Sequence, residues 1–200
     1  TDISFPVFLI NGIVPYFIFS NITNRCINAI EANQGLFNYR PVKPIDTILA
    51  RALLELIIYV FVYITLMLIL SILGEDMTIN GMIILFVTWF LLFCFSCGMG
   101  MIFMVISHSF PETEKFLPIM IKPLYFISCI MFPLHAVPKD YWPYLLWNPI
   151  VHIVELSREA VCVGYISEGA NIYYLAIVSL FITALGLAVY TAREREMLTS

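Results

Sequence analysis

Ile79-Asn80-Gly81-Met82-Ile83-Ile84-Leu85-Phe86-Val87-Thr88-Trp89-Phe90-Leu91-Leu92-Phe93-Cys94-Phe95-Ser96-Cys97-Gly98-Met99-Gly100-Met101-Ile102-Phe103-Met104-Val105-Ile106 is a run of 28 residues without a charge. About 20 apolar residues suffice for a helix to cross a hydrocarbon core of about 30 Å. Backbone amides find no partner in hydrocarbon except within a helix or a closed barrel, and this run lacks the alternation of a barrel strand. It is therefore a membrane-crossing helix. The whole chain follows it: 61% of its 200 residues are hydrophobic, 12% are charged and the mean hydropathy is +0.92. Soluble domains carry roughly 25% charged residues. The fold class is an all-α integral membrane protein, with no room for a large soluble domain.

Working outward, apolar runs at 3–24, 49–73, 116–133 and 172–192 predict four more crossings, five in all. The chain opens at Thr1 and enters the first run without the basic stretch of a signal peptide, so an upstream segment is expected to be missing. Lys and Arg set the orientation. Arg25, Arg40, Lys43 and Arg51 cluster after the first run, while the next turn carries only Glu75 and Asp76. The segment 25–48 is thus cytoplasmic, 107–115 and the Arg193-Glu194-Arg195-Glu196 tail lie on the same side, and 134–171 is external.

Several chemistries are disfavoured. A net charge of -4 and no basic stripe argue against nucleic acid. Cys94 and Cys97 have CxxC spacing but sit mid-run among Phe93, Phe95 and Met99, which suits packing better than redox chemistry. Cys26, Cys129 and Cys162 suggest no disulfide framework. No crossing centre offers a clear acidic or basic residue for a proton relay. There is no GxxxxGK[ST] loop, so any ATP-driven work needs another polypeptide.

Local patterns add detail. Arg51 and Glu55 are four apart and close enough to pair on one helix face. Ser96 with Gly100, and Ala184 with Ala188, mark places where helix backbones can approach. Tyr16, Phe17, Tyr59, Tyr63, Trp89 and Tyr125 are either packing and belt residues or the lining of a conduit, where ring faces meet sugar C–H groups. In the external segment, Tyr141–Trp147 is apolar, too short to span and bracketed by prolines, which suits a re-entrant or interfacial helix with Trp142 and Trp147 at headgroup level. Pro149 is placed to open a second short helix. On it His152, Glu155 and Glu159 share a face beside Arg158, read here as solvent-accessible charges forming a polar seam rather than a metal site.

The runs NYRPVKPIDTILARALLE (38–55) and FPLHAVPKDYWPYLLWNPIVHIVELSREAVCVGY (132–165) resemble the permease subunits of bacterial ABC-2 type exporters, most of all the inner-membrane component of capsular polysaccharide export. O-antigen and teichoic-acid permeases share the second pattern more loosely. The resemblance implies a helical bundle of six crossings in the complete subunit, a homodimer in the bacterial inner membrane, and a separate cytoplasmic ATPase pair that holds ATP and Mg. No cofactor or metal is expected on this chain itself. By the same resemblance, Ala29, Glu31, Gln34, Phe37 and Tyr39 supply the coupling element. Arg40, Lys43 and Asp46 form the joint at the membrane edge. Closure of the ATPases would move 29–46 and open a dimer-interface channel for a lipid-linked acidic polysaccharide, with periplasmic and outer-membrane components beyond it. Arg25, Arg40 and Lys43 are candidate entrance contacts or plain positive-inside anchors. The short helices of 138–165, with Trp142, Trp147, Glu155 and Arg158, would flank the external mouth. Two other classes remain open: a membrane-embedded transferase using His108, Glu112 and Glu114, and a passive channel, for which no filter motif or charged ring is visible.

Overall fold

A computed structural model describes residues 4–30, 32, 35, 43–78 and 81–199. Among the described residues, four helices are long and apolar enough to cross a membrane: α1 (Phe5–Ile27), α2 (Pro44–Ile72), α3 (Met82–Ser109) and α8 (Ile172–Thr199), the last through Glu194. Prolines in the first turn start α1 and α2, where a missing N–H costs nothing. Asp46 Oδ2 accepts the Lys43 backbone N–H at 2.9 Å and fixes the first turn of α2. That helix begins five residues earlier than the expected 49, so Asp46 lies inside it.

No single helix forms over the crossing expected at 116–133, and among the described residues four helices meet the length and apolarity of a span. Its place is taken by α4 (Thr113–Ile121) and α5 (Leu124–Ile127), separated by Lys122-Pro123. Pro118 and Pro123 each remove an intrahelical donor and press on the preceding turn. At Cys129 the backbone takes φ +55°, a left-handed conformation unusual for a residue with a Cβ, and the chain reverses. The external segment then forms α6 (Trp142–Leu145) and α7 (Pro149–Val161). As the sequence predicts, Pro149 opens α7, and Asn148 caps it by accepting the Ile150 N–H at 3.0 Å.

The core is built around α3, which packs on both α8 and α1. Glycine makes the approach possible. A Cβ on Gly98 would lie 2.7 Å from the Ile182 carbonyl, and one on Gly186 would lie 2.6 Å from the Gly98 carbonyl. Thr183 Oγ1 donates to the Cys94 carbonyl at 2.8 Å across the same seam. Gly100 meets Cys26 of α1. Ala184 and Ala188, expected at a seam, are exposed, and Gly186 between them makes the contact. Cys26 and Cys97 are buried packing residues.

The two ends of the bundle differ in charge. At one end Ser107 Oγ donates to the Ile27 carbonyl, Arg25 pairs with Glu55 and Lys43 pairs with Glu194. At the other, Ser4 donates to Glu75, and the Thr78 N–H donates to the Val161 carbonyl. Arg25 and Lys43 thus lie at one end of the bundle and Glu75 at the other.

Candidate functional site

Four of the six aromatic candidates form a continuous line of rings. Tyr125 stands edge-on to Tyr16 at 5.1 Å between centroids, Tyr16 meets Phe17 at 6.0 Å, and Phe17 stacks on Tyr59 at 6.4 Å. The line ties α5 to α1 and α2. Phe17 is exposed, and Tyr59 and Tyr125 are half-buried. Towards the basic end it continues as polar contacts on the same helices: Asn21 donates to the Tyr59 hydroxyl at 2.8 Å, and Arg25 Nε lies 3.1 Å from Glu55 Oε1. Phe17, Asn21 and Arg25 are four apart on α1, as are Glu55 and Tyr59 on α2, so each set shares a helix face. Glu55 is thus taken by Arg25 of the neighbouring helix, not by Arg51 as the spacing suggests. The geometric reason is that α1 presents its guanidinium across the seam.

Tyr63 and Trp89 stand apart from this line. They form a separate edge-to-face pair at 4.7 Å, buried between α2 and α3, with the Tyr63 hydroxyl donating to Asn11 Oδ1 at 2.9 Å. Both rings are committed to contacts within the subunit.

Lys122 is the residue that sequence reasoning missed. It lies in the break between α4 and α5, exposed, and one residue from Ile121, whose carbonyl accepts the Tyr16 hydroxyl at 2.9 Å. Tyr16 is the middle residue of α1, so the backbone at Ile121, next to Lys122, lies at the middle height of the bundle. Its signal was a lysine beside proline inside an otherwise apolar run.

At the opposite end, α7 carries a buried polar core. Arg158 is fully buried, and its guanidinium serves four acceptors besides its acidic partner. Nη1 donates to the carbonyls of Cys129 at 2.9 Å and Phe132 at 3.4 Å, Nη2 to Ile130 at 2.5 Å, and Nε to Phe8 at 3.4 Å. Nη1 also pairs with Glu155 Oε1 at 3.1 Å, and the guanidinium lies 3.6 Å over the Phe8 ring. Glu155, likewise buried, accepts the Leu134 N–H and the Tyr165 hydroxyl. Burial, and then the Glu155 carboxylate, raises the Tyr165 pKa, so the hydroxyl stays a donor. These are not solvent-accessible charges, as expected from sequence; α7 is enclosed by α1 and α3, and its polar groups face a reversing chain whose carbonyls need donors. Gly12 of α1 leaves the room, since a Cβ there would lie 2.7 Å from Arg158 Nη2.

His152 holds another joint of the same segment. Its Nδ1 accepts the Asn171 N–H at 2.9 Å, which leaves Nε2 to donate to the Leu146 carbonyl at 2.8 Å. Burial lowers its pKa, so the ring is held neutral. Tyr174 packs on the ring at 4.7 Å. His152 and Glu155 face different partners and do not converge as a ligand pair. Glu159 is exposed and accepts from Ser167. Trp142 is half-buried with Nε1 donating to the Val137 carbonyl, whereas Trp147 is 82% exposed.

Of the coupling residues, Ala29 is buried, Lys43 is exposed and paired with Glu194, and Asp46 caps α2. Glu31, Gln34, Phe37, Tyr39 and Arg40 lie outside the described residues. His108 lies in the last turn of α3, Glu112 immediately before α4 and Glu114 in the first turn of α4.

Comparison with known proteins agrees with this arrangement. The ABC-2 type transporter family matches residues 5–162. The polysialic acid transport protein KpsM of Escherichia coli is 66% identical over 199 residues, covering 100% of this chain and 77% of that protein. The capsule polysaccharide export inner-membrane protein CtrC of Neisseria meningitidis is 27% identical over 182 residues, 91% of this chain and 69% of its own length. BexB of Haemophilus influenzae, named in the same way, is 28% identical over 180 residues, 90% and 68% of the respective lengths. Helices long and apolar enough to cross a membrane, a family match over most of the chain and a relative similar along all of it make this chain a member of the ABC-2 type transporter family.

Proposed function

We propose that the protein is the permease subunit of an ATP-driven exporter that moves a lipid-linked acidic polysaccharide across the bacterial inner membrane. The observation that carries this reading is the placement of Lys122: an exposed cation at mid-height, followed one helical turn later by Tyr125, from which the rings of Tyr16, Phe17 and Tyr59 lead towards Arg25. Ionisable groups at such depth are costly and face a polar pathway, not lipid. Aromatic faces suit the apolar faces of sugar rings, and the two cations suit carboxylates along a polymer. The similarity to KpsM along the whole chain supports the same substrate class.

In this reading two copies face one another across the track, and a separate ATPase pair binds ATP and Mg beneath the basic, cytoplasmic end. The segment 25–48 is the coupling element. Residues 113–133 make a fifth crossing as a broken helix. Its 15 residues from Thr113 to Ile127 reach roughly 22 Å at about 1.5 Å per residue. The segment from Pro133 to Tyr165 is re-entrant at the outer face, held by Glu155 and Arg158. Phe17, Tyr59 and Tyr125 contact polymer, while Tyr63 and Trp89 brace the subunit. Periplasmic and outer-membrane components receive the polymer beyond the mouth.

The test is complementation of capsule export in cells lacking their own permease. The unaltered chain is expected to restore surface polymer, and K122E to reduce it without lowering the amount of protein in the membrane. Full export by K122E would remove the track from the account.

A further inference from the structure

Resting on that exporter reading, a contact at the basic end extends it to a residue outside the coupling segment. Lys43 Nζ lies 3.1 Å from Glu194 Oε1. The same oxygen accepts the Tyr190 hydroxyl at 3.2 Å, and Tyr190 is buried at 2% exposure. Lys43 is at once the last residue before α2 and the cap of that helix, through its N–H to Asp46. The ion pair therefore joins the exit of the cytoplasmic segment to the end of α8, a helix distant in sequence.

The consequence lies in what each helix is attached to. Along most of its length α2 is exposed, with Leu54, Ile57, Phe61, Leu68 and Ile72 bare. It meets the rest of the subunit chiefly along α1, through Arg25–Glu55 and Asn21–Tyr59, and through Tyr63 on Asn11 and Trp89. By contrast, α8 is seated on α3 backbone to backbone at Gly98 and Gly186, too closely for either helix to slide without the other. At its far end α3 in turn is tied to α7, where Gly81 abuts the Ala160 backbone. A load applied at Glu194 thus gains a direct route through α8 into α3 and on to α7, beside the route that α2 has through α1.

We propose that Glu194 is a positioning residue for energy coupling: by holding Lys43 it makes the cytoplasmic segment pull on α8 and α3 together with α2. Tyr190 orients the carboxylate and seats the end of α8. Spatial continuity alone does not establish coupling, so the pair must be tested by exchange of its charges.

The experiment uses the full chain in complex with its ATPase subunit, and reads polymer exported per ATP hydrolysed alongside membrane abundance and co-purification of the two subunits. E194K and K43E each place like charges in contact and are expected to lower export per ATP about two- to fivefold, the range of an exposed pair. K43E/E194K is expected to recover most of that loss. Y190F is expected to lower the ratio less than E194K. A merely structural role would reduce abundance and leave the ratio unchanged. The proposal is overturned if E194K exports at the unaltered ratio, or if the double exchange is no better than the single changes combined. Absence of ATP-dependent export by the unaltered chain with its ATPase would instead overturn the exporter reading, and this proposal with it.

Discussion

Arg158 of α7 donates to the carbonyl of Cys129 at 2.9 Å, at the left-handed residue where the chain reverses after α5. A left-handed non-glycine residue costs roughly 1–3 kcal/mol and persists where its surroundings hold it. The guanidinium fork does so by binding the carbonyls of Cys129, Ile130 and Phe132 together. Only a planar group with five donors can serve so many acceptors from one point.

Replacing Arg158 with alanine is therefore expected to destabilise the external segment by about 3–5 kcal/mol, since Glu155 would be left buried and unpaired. R158K should recover only part, because an ammonium cannot span the three carbonyls. E155L/R158M should be less harmful than R158A. Limited proteolysis of 129–171 in detergent, with thermal unfolding alongside, ranks the variants; equal stability for R158A and the double variant would contradict the buried pair.

At the α3–α8 seam, G98A and G186A are expected to force the helices apart, each at about 1–3 kcal/mol from overpacking. A184L, at an exposed position on the same helix, is the control. A melting point for G98A equal to that of A184L would show that the seam yields without cost.

His152 makes the external segment sensitive to acid. Burial holds the folded pKa below the ordinary 6.5, so the unfolded chain binds the proton more readily. The stabilisation is complete above about pH 6.5 and is lost as pH falls from there towards the folded pKa, by at most about 1.4 kcal/mol per pH unit. Protonation would also put a hydrogen on Nδ1 against the Asn171 N–H. Protection factors in 146–174, that is, exchange relative to the intrinsic rate at each pH, should fall between pH 7.5 and 5.5 in the unaltered protein, while H152Q should show a flatter profile. An identical acid response in both would rule the histidine out.

How far the sequence foretold these features follows from the range of each interaction. Long apolar runs announced α1, α2, α3 and α8 because length and hydropathy suffice to place a helix in hydrocarbon. Pro149 announced the start of α7, because the preference of proline for a first helical turn is local. Glu55 misled, since helix spacing offered Arg51 and only tertiary packing offered Arg25. The run 116–133 looked continuous because Pro118 and Pro123 scarcely alter its average hydropathy. Glu155 and Arg158 read as surface charges, as nothing in their own stretch tells of the carbonyls at 129–132 that bury them. Gly98 and Gly186 were passed over in favour of neighbours at small-residue spacing, although their contact is set by how α3 and α8 cross.

Along the aromatic track, the neutral variant K122Q is expected to weaken export of an acidic polymer more than that of a neutral one, whereas F17A and Y59A should weaken both. Competition between the two polymers in one strain gives the ratio directly. An unchanged ratio for K122Q would deny the lysine any part in charge recognition.

The central claim is that this chain forms the path and another protein supplies the energy. The most direct measurement is translocation in proteoliposomes that contain the full chain with its nucleotide-binding subunit, using lipid-linked polysialic acid as probe and enzymatic digestion to locate it. The account predicts that polymer becomes protected only when both subunits, ATP and magnesium are present. Transport by this chain without the ATPase, or a stable complex that hydrolyses ATP while leaving the polymer where it began, would contradict it.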